Sequence, residues 1–218
     1  MKTKLTLLAA ALAIAAQAGA ADLITNGSFE AGRIVANNGD ADSQQLFSGD
    51  NITLSGWTVV GGADIAWIGG GNPYAITASD GTKFLDLTGW HANNVQGAGV
   101  KQTIATTAGA SYTLSFDLGN SINYNYNSND TINVAAGNLS TAVSTTISNS
   151  PSSWEHVVLN FTANGASTDV TFTGGQAVWY VGLDNVSVVA APVPEPSSAL
   201  MLGVGLLGVA GWMRRRRS

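Results

Sequence analysis

Ser111-Tyr112-Thr113-Leu114-Ser115-Phe116-Asp117-Leu118 alternates polar and apolar residues at every step. Successive side chains of a β-strand point to opposite faces, so this run puts Tyr112, Leu114, Phe116 and Leu118 on one face. No helix of 3.6-residue period can sort these residues that way. Shorter runs of the same kind lie on both sides. Trp57 to Val60 follows Ser55-Gly56, and Ala63 to Ile68 lies between Gly61-Gly62 and Gly69-Gly70-Gly71. Lys83 to Leu87 follows the Asp80-Gly81 turn, and Val100 to Ile104 alternates again. Ile132 and Val134 mark another strand. Trp154 to Thr162 places Val157, Leu159 and Phe161 together, Val170 and Phe172 follow the Asn164-Gly165 turn, and Trp179 to Val189 closes the series. Eight to ten short strands with polar turns predict an all-β, two-sheet antiparallel β-sandwich rather than a βαβ fold. No internal repeat is visible.

The two ends have a different character. Lys2 and Lys4 precede the apolar run Leu5 to Ala16, and Ala18-Gly19-Ala20 supplies small residues for cleavage. Residues 1–20 therefore read as a signal peptide, with the mature chain starting near Ala21. Pro192 to Ser198 is a proline-stiffened linker. Ala199 to Met213 is apolar and Gly-rich, and Arg214, Arg215, Arg216 and Arg217 follow as a block of positive charge. Apolar residues stopped by arginines should lodge in a membrane with the arginines on the cytoplasmic side. Fifteen residues are short for a permanent span, which suits a transient anchor. Pro194-Glu195-Pro196, the apolar segment and the arginines, in that order, resemble a PEP-CTERM sorting signal. The resemblance implies processing by an exosortase-type enzyme of the inner membrane, then delivery to the cell surface or extracellular space. The expected organisation is signal peptide 1–20, sandwich 21–190, linker 191–198 and sorting segment 199–218.

Charge is unevenly spread. Six of the nine Lys and Arg residues lie in the terminal segments. Thirteen acids from Asp22 to Asp184 face only Arg33, Lys83 and Lys101, which leaves the middle of the chain with about ten net negative charges. Such a field disfavours nucleic acid, whose binding rests on Lys and Arg. It favours cations, above all calcium, which takes oxygen ligands. The chain has no cysteine. Thiol catalysis and Cys-based metal sites are excluded, although an exported protein could have used disulfides.

Three segments together resemble the galactose-binding-like jelly rolls of carbohydrate-binding modules and related bacterial surface domains. They are Leu23-Ile24-Thr25-Asn26-Gly27-Ser28-Phe29-Glu30 with Gly56-Trp57; Val100 to Ile104 with Gly109 to Phe116; and Gly182-Leu183-Asp184-Asn185-Val186-Ser187-Val188. The resemblance implies a jelly roll with a structural Ca2+ ion bound by the carboxylates of Glu30 and Asp184 and by backbone carbonyls.

Residues able to carry chemistry are few. Asp80, Asp86, Asp117 and Asp130 are candidate carboxylates for a glycosidase, but nothing in the sequence pairs them. His91 and His156 are the only histidines, and no serine sits in a Gly-x-Ser-x-Gly elbow. No catalytic residue is assigned. Sugar recognition needs flat apolar faces beside amides or carboxylates. Trp90, His91, Asn93 and Asn94 offer one such cluster, Tyr124 and Tyr126 among asparagines a second, and Trp67 and Tyr74 a third around a glycine-rich turn. Trp57 and Trp154 read as core residues. The expectation is a non-enzymatic exported protein that contacts extracellular polysaccharide. Its rivals are a structural or adhesive surface protein and, third, a glycan-active enzyme.

Overall fold

The computed structural model describes residues 21–88, 97–121, 130–146, 150, 152–175, 180–192 and 215. The expected signal helix and all of the C-terminal helix except Arg215 lie outside the described residues. Among the described residues no helix is long and apolar enough to cross a membrane.

The domain is all-β, with two antiparallel sheets packed as a sandwich. The strands are β1 (Ser43–Leu46), β2 (Thr58–Val60), β3 (Ile65–Gly69), β4 (Lys83–Asp86), β5 (Gly99–Ala105), β6 (Ser111–Asn120), β7 (Thr131–Ala136), β8 (Leu139–Ser144), β9 (Ser153–Thr162), β10 (Ser167–Gly174) and β11 (Gly182–Ala190). One sheet runs β1-β3-β4-β11-β6-β9 and the other β2-β5-β10-β7-β8. The alternation in β6 places Leu114, Phe116 and Leu118 between the sheets. They meet Phe172, Val170 and Val134 from the facing sheet in one apolar core. Phe116 and Phe172 pack edge to face at 5.1 Å, and Trp57 completes the cluster beside Phe29 at 5.5 Å.

The larger sheet is also covered on its outside. The segment 70–82 runs across it as a strap, and Ile76, Tyr74 and Ala78 pack on Ala66, Ile68, Phe84, Tyr180 and Trp154. Both faces of β3 are therefore buried. Trp154 belongs to this outer layer, half-buried, and not to the core between the sheets. The correction has a simple cause: Trp154 shares its face of β9 with His156, while Val157 and Leu159 take the inner one. Trp67 is fully buried in the main core with its indole N–H on the Phe29 carbonyl, 3.1 Å away, and Tyr74 donates its hydroxyl to Asp40 at 2.6 Å. Trp67 therefore presents no face to a ligand, whereas Tyr74 is half-buried in the strap.

The registers give the sandwich two distinct poles. Leu183 pairs with both Leu85 and Leu118, and Asn120 pairs with Ser153. Gly99 pairs with Thr173, and Thr131 with Ser144. The segments beginning after Leu87, Asn120, Ser144 and Gly174 consequently all leave from one pole. The turns 106–110, 137–138 and 163–166 lie at the other.

Candidate functional site

Two places bring together the residues singled out above. The first is the strap, which is pinned by carboxylates. Asp184 follows Leu183 on the central strand β11, opposite Asp117 of β6. Its Oδ2 accepts the backbone N–H groups of Ser79 (2.8 Å) and Asp80 (2.9 Å), and its Oδ1 accepts that of Asn185 (2.7 Å). Glu30 grips the same strap further along: its Oε1 accepts the N–H groups of Thr82 and Lys83, both at 2.6 Å. Gly81 lets this grip close, since a Cβ there would lie 2.5 Å from Glu30 Oε1 and its φ is +67°. The Lys83 ammonium donates to the Glu30 carbonyl at 2.8 Å and stands 3.5 Å from its carboxylate.

These surroundings shift the two carboxyls in opposite directions. Burial pushes Asp184 up to about 7, against the hydrogen bonds it accepts and helped by the nearby charge of Asp80. Burial also opposes ionisation of Glu30, but the N–H and hydroxyl donors of Thr82 and Lys83 and the Lys83 charge together hold it below its ordinary value.

Beside Asp184, Asp117 is a hub. It accepts the Ser79 hydroxyl, the His156 Nδ1–H at 2.6 Å and the Asn185 side-chain amide at 3.1 Å. His156 faces outward, half-exposed, with Nε2 directed away from this bond. The sequence offered no sign of this cluster, because Asp117's partners lie 38 to 68 residues from it in the chain.

The expected calcium can be tested against this donor set. Asp184 is fully buried and has no cationic partner among the described residues, so a positive ion there would answer a real electrostatic deficit. Glu30 already shares its carboxylate with Lys83. Among the described residues no three His, Asp or Glu side chains converge on one point, so carbonyl oxygens would have to complete a shell. Asp184 would offer such an ion its charge, but Asp184 and Glu30 both already accept backbone N–H groups, so any shell would have to be built around those bonds.

The second place is the pole from which the long loops leave. Its floor is made of the buried polar side chains Thr88, Asn120, Ser121, Asp130 and Thr145, with partly buried Asp86 beside them. The Asn120 amide and the Asp130 backbone N–H both donate to Thr145 Oγ1 at 3.0 Å. Asp86, pushed up to about 6 by burial, accepts from the Thr88 hydroxyl at 2.7 Å. The Tyr180 hydroxyl is buried against Gly119 and Gly182, with no hydrogen-bond partner among the described residues. Trp90, His91, Asn93, Tyr124 and Tyr126 fall outside the described residues. The strand ends that flank them, Asp86 and Gly99 for the first cluster and Asn120 and Thr131 for the second, are at this pole.

Residues 22–188 match the family described as "Protein of unknown function (DUF642)", and that match takes in every strand from β1 to the closing Leu183-Asp184-Asn185-Val186 segment. The chain belongs to the DUF642 family. Residues 192–217 match the PEP-CTERM protein-sorting motif, which marks the DUF642 domain as exported and sorted to the cell surface. The comparison with curated proteins finds no match. Among solved structures the domain is similar to TmCBM61 in complex with beta-1,4-galactotriose, at 17% identity, covering 78% of this chain and 99% of that one, TM-score 0.47. It is also similar to a CBM35 from Cellvibrio japonicus, at 19% identity over 54% of this chain and 81% of that one, TM-score 0.42. An arabinose-bound α-L-arabinofuranosidase, MgGH51, matches at 14% identity over 78% of this chain but 26% of its own, TM-score 0.49. At such identities the likeness concerns the fold, and no function is taken from it.

Proposed function

We propose that this protein is delivered to the cell surface or extracellular matrix, with a transient stop in the inner membrane, and there binds polysaccharide through the loop pole of its jelly roll, without catalysis. The observation that supports this most is topological. The strand ends that flank the segment with Trp90, His91 and Asn93 and the segment with Tyr124 and Tyr126 lie at one pole, beside buried polar groups. Those two segments carry aromatic and amide residues, the types that sugar recognition requires. Binding rather than catalysis is favoured by the strap cluster: the Ser79 hydroxyl donates to Asp117, the same carboxylate that holds His156, and so is not activated by the imidazole. Calcium held by Glu30 and Asp184 would supply the positive charge that buried Asp184 lacks.

The test is a glycan array with the secreted domain, alongside Trp90→Ala and a Tyr124→Ala/Tyr126→Ala double variant. Specific glycan signals that both variants lose are expected. A blank array together with self-association would favour a structural or adhesive role, and release of reducing sugar would establish an enzyme.

A further inference from the structure

Both ends of the folded domain emerge at the pole opposite the loops. The Leu23 N–H donates to the Val188 carbonyl at 2.8 Å, and the Ala191 N–H to the Ser111 carbonyl at 2.9 Å. Residues 111 and 188–190 are the ends of β6 and β11 on that side, next to the turns 106–110, 137–138 and 163–166. From Ala191 only Pro192 to Ser198 separate the fold from the apolar segment. Seven fully extended residues reach about 25 Å at most. A tail lodged in a bilayer therefore holds this pole near the lipid, while β6, ten residues long, keeps the loop pole roughly 30 Å further out.

The charge distribution matches that orientation. The turns at this pole read Thr106-Thr107-Ala108-Gly109-Ala110, Gly137-Asn138 and Ala163-Asn164-Gly165-Ala166, without one charged side chain. Two acids lie nearby. Asp22 spends its Oδ1 on the N–H groups of Ile24 and Val188, both at 2.9 Å. Asp169 is neutralised by Lys101 at 2.9 Å. Asp86, Asp117, Asp130, Glu155 and Asp184 lie by register toward the middle or the loop pole. A negatively charged lipid surface repels acids within a Debye length, about 8 Å at physiological salt. In a domain with about ten net negative charges, this is the face such a surface tolerates.

We infer that the uncharged pole formed by the turns 106–110, 137–138 and 163–166 is the face that docks on the phospholipid headgroups while the C-terminal tail is in the membrane, leaving the loop pole directed outward. The inference rests on the anchor proposed above. The chain lacks cysteine, so single labels are clean. Fluorophores at Asn164→Cys and Ala108→Cys report the docking pole, and those at Ser48→Cys and Thr146→Cys the far one; all four positions are exposed. The chain from Ala21 to Ser218 is reconstituted into vesicles of phosphatidylethanolamine and phosphatidylglycerol carrying a headgroup nitroxide. The vesicles are floated, then the labels read. Several-fold stronger quenching at Asn164 and Ala108 than at Ser48 and Thr146 is expected. Flotation with equal or reversed quenching overturns the orientation while leaving the anchor intact. Failure to float overturns both. Quenching of this pole only in vesicles of host inner membrane, and not in pure lipid, would assign the face to a protein and overturn the lipid assignment.

Discussion

Replacing Asp184 with Asn probes a fully buried carboxylate that has no cationic partner among the described residues. Its carboxyl is fully buried on β11 and pushed from 3.8 to about 7, chiefly by burial. Because the folded state holds the proton more tightly than the unfolded chain, this group stabilises the fold most below pH 3.8, and that contribution is lost as pH rises toward 7. The difference corresponds to about 4 kcal/mol at full titration, or about 8–16 °C in Tm for a domain of this size. Asp86, raised to about 6, acts in the same direction. Wild type in chelator should therefore melt higher at pH 5.5 than at pH 8, a trend that scanning calorimetry reads directly. Asn keeps an oxygen for the Ser79 and Asp80 N–H groups and removes the charge, so Asp184→Asn should flatten much of the slope and melt above wild type at pH 8 in chelator. Added calcium at a hundredfold excess over Kd should stabilise the wild type at pH 8 by about 2.7 kcal/mol, read as a higher Tm, and should do nothing to Asp184→Asn. A wild-type Tm that stays level or falls between pH 8 and 5.5 would refute the assignment of Asp184 as a buried, uncompensated carboxylate. A wild type indifferent to both calcium and chelator would remove the ion.

Gly182→Ala places a Cβ 2.2 Å from the Tyr180 Oη and 2.9 Å from Gly119 Cα, so it should cost about 1–3 kcal/mol in urea melts. Tyr180→Phe removes a buried hydroxyl with no partner, should be neutral or stabilising, and should partly rescue Gly182→Ala. Asp117→Ala strands the Ser79 hydroxyl and the Asn185 amide and should cost about 1–3 kcal/mol, whereas His156→Ala, at a half-exposed site, should cost less than about 1 kcal/mol. Phe172→Ala opens the core between Phe116 and Trp57 and should cost about 3–5 kcal/mol in the same melts.

The strands that could be read in advance are those with one wet face and one dry face. β6, the inner face of β9 and β10 show their alternation openly, and the architecture follows from them. β3 hides its period because the strap buries its second face. β1 (SQQL) and β8 (LSTAVS) escaped notice because small and polar residues dominate them, with Leu46 the one large side chain β1 buries fully. Trp154 and Trp67 are hard to place for the same reason: an outer apolar layer and a second tryptophan in the core beside Trp57 leave no mark in local spacing. Glu30 and Asp184 were legible as carboxylates, but not their joint hold on residues 79–83, since the contacts span 52 to 105 residues. The Asp117 hub is likewise a product of register between β6, β9 and β11.

Intact-mass and terminal-peptide analysis of the protein recovered from its host's surface and medium bears most directly on the central claim, that both apolar ends are address labels on an exported sandwich. A species beginning near Ala21 and truncated at or beyond Pro194-Glu195-Pro196 is predicted. The uncleaved 218-residue chain, found only in the cytosol, would contradict it.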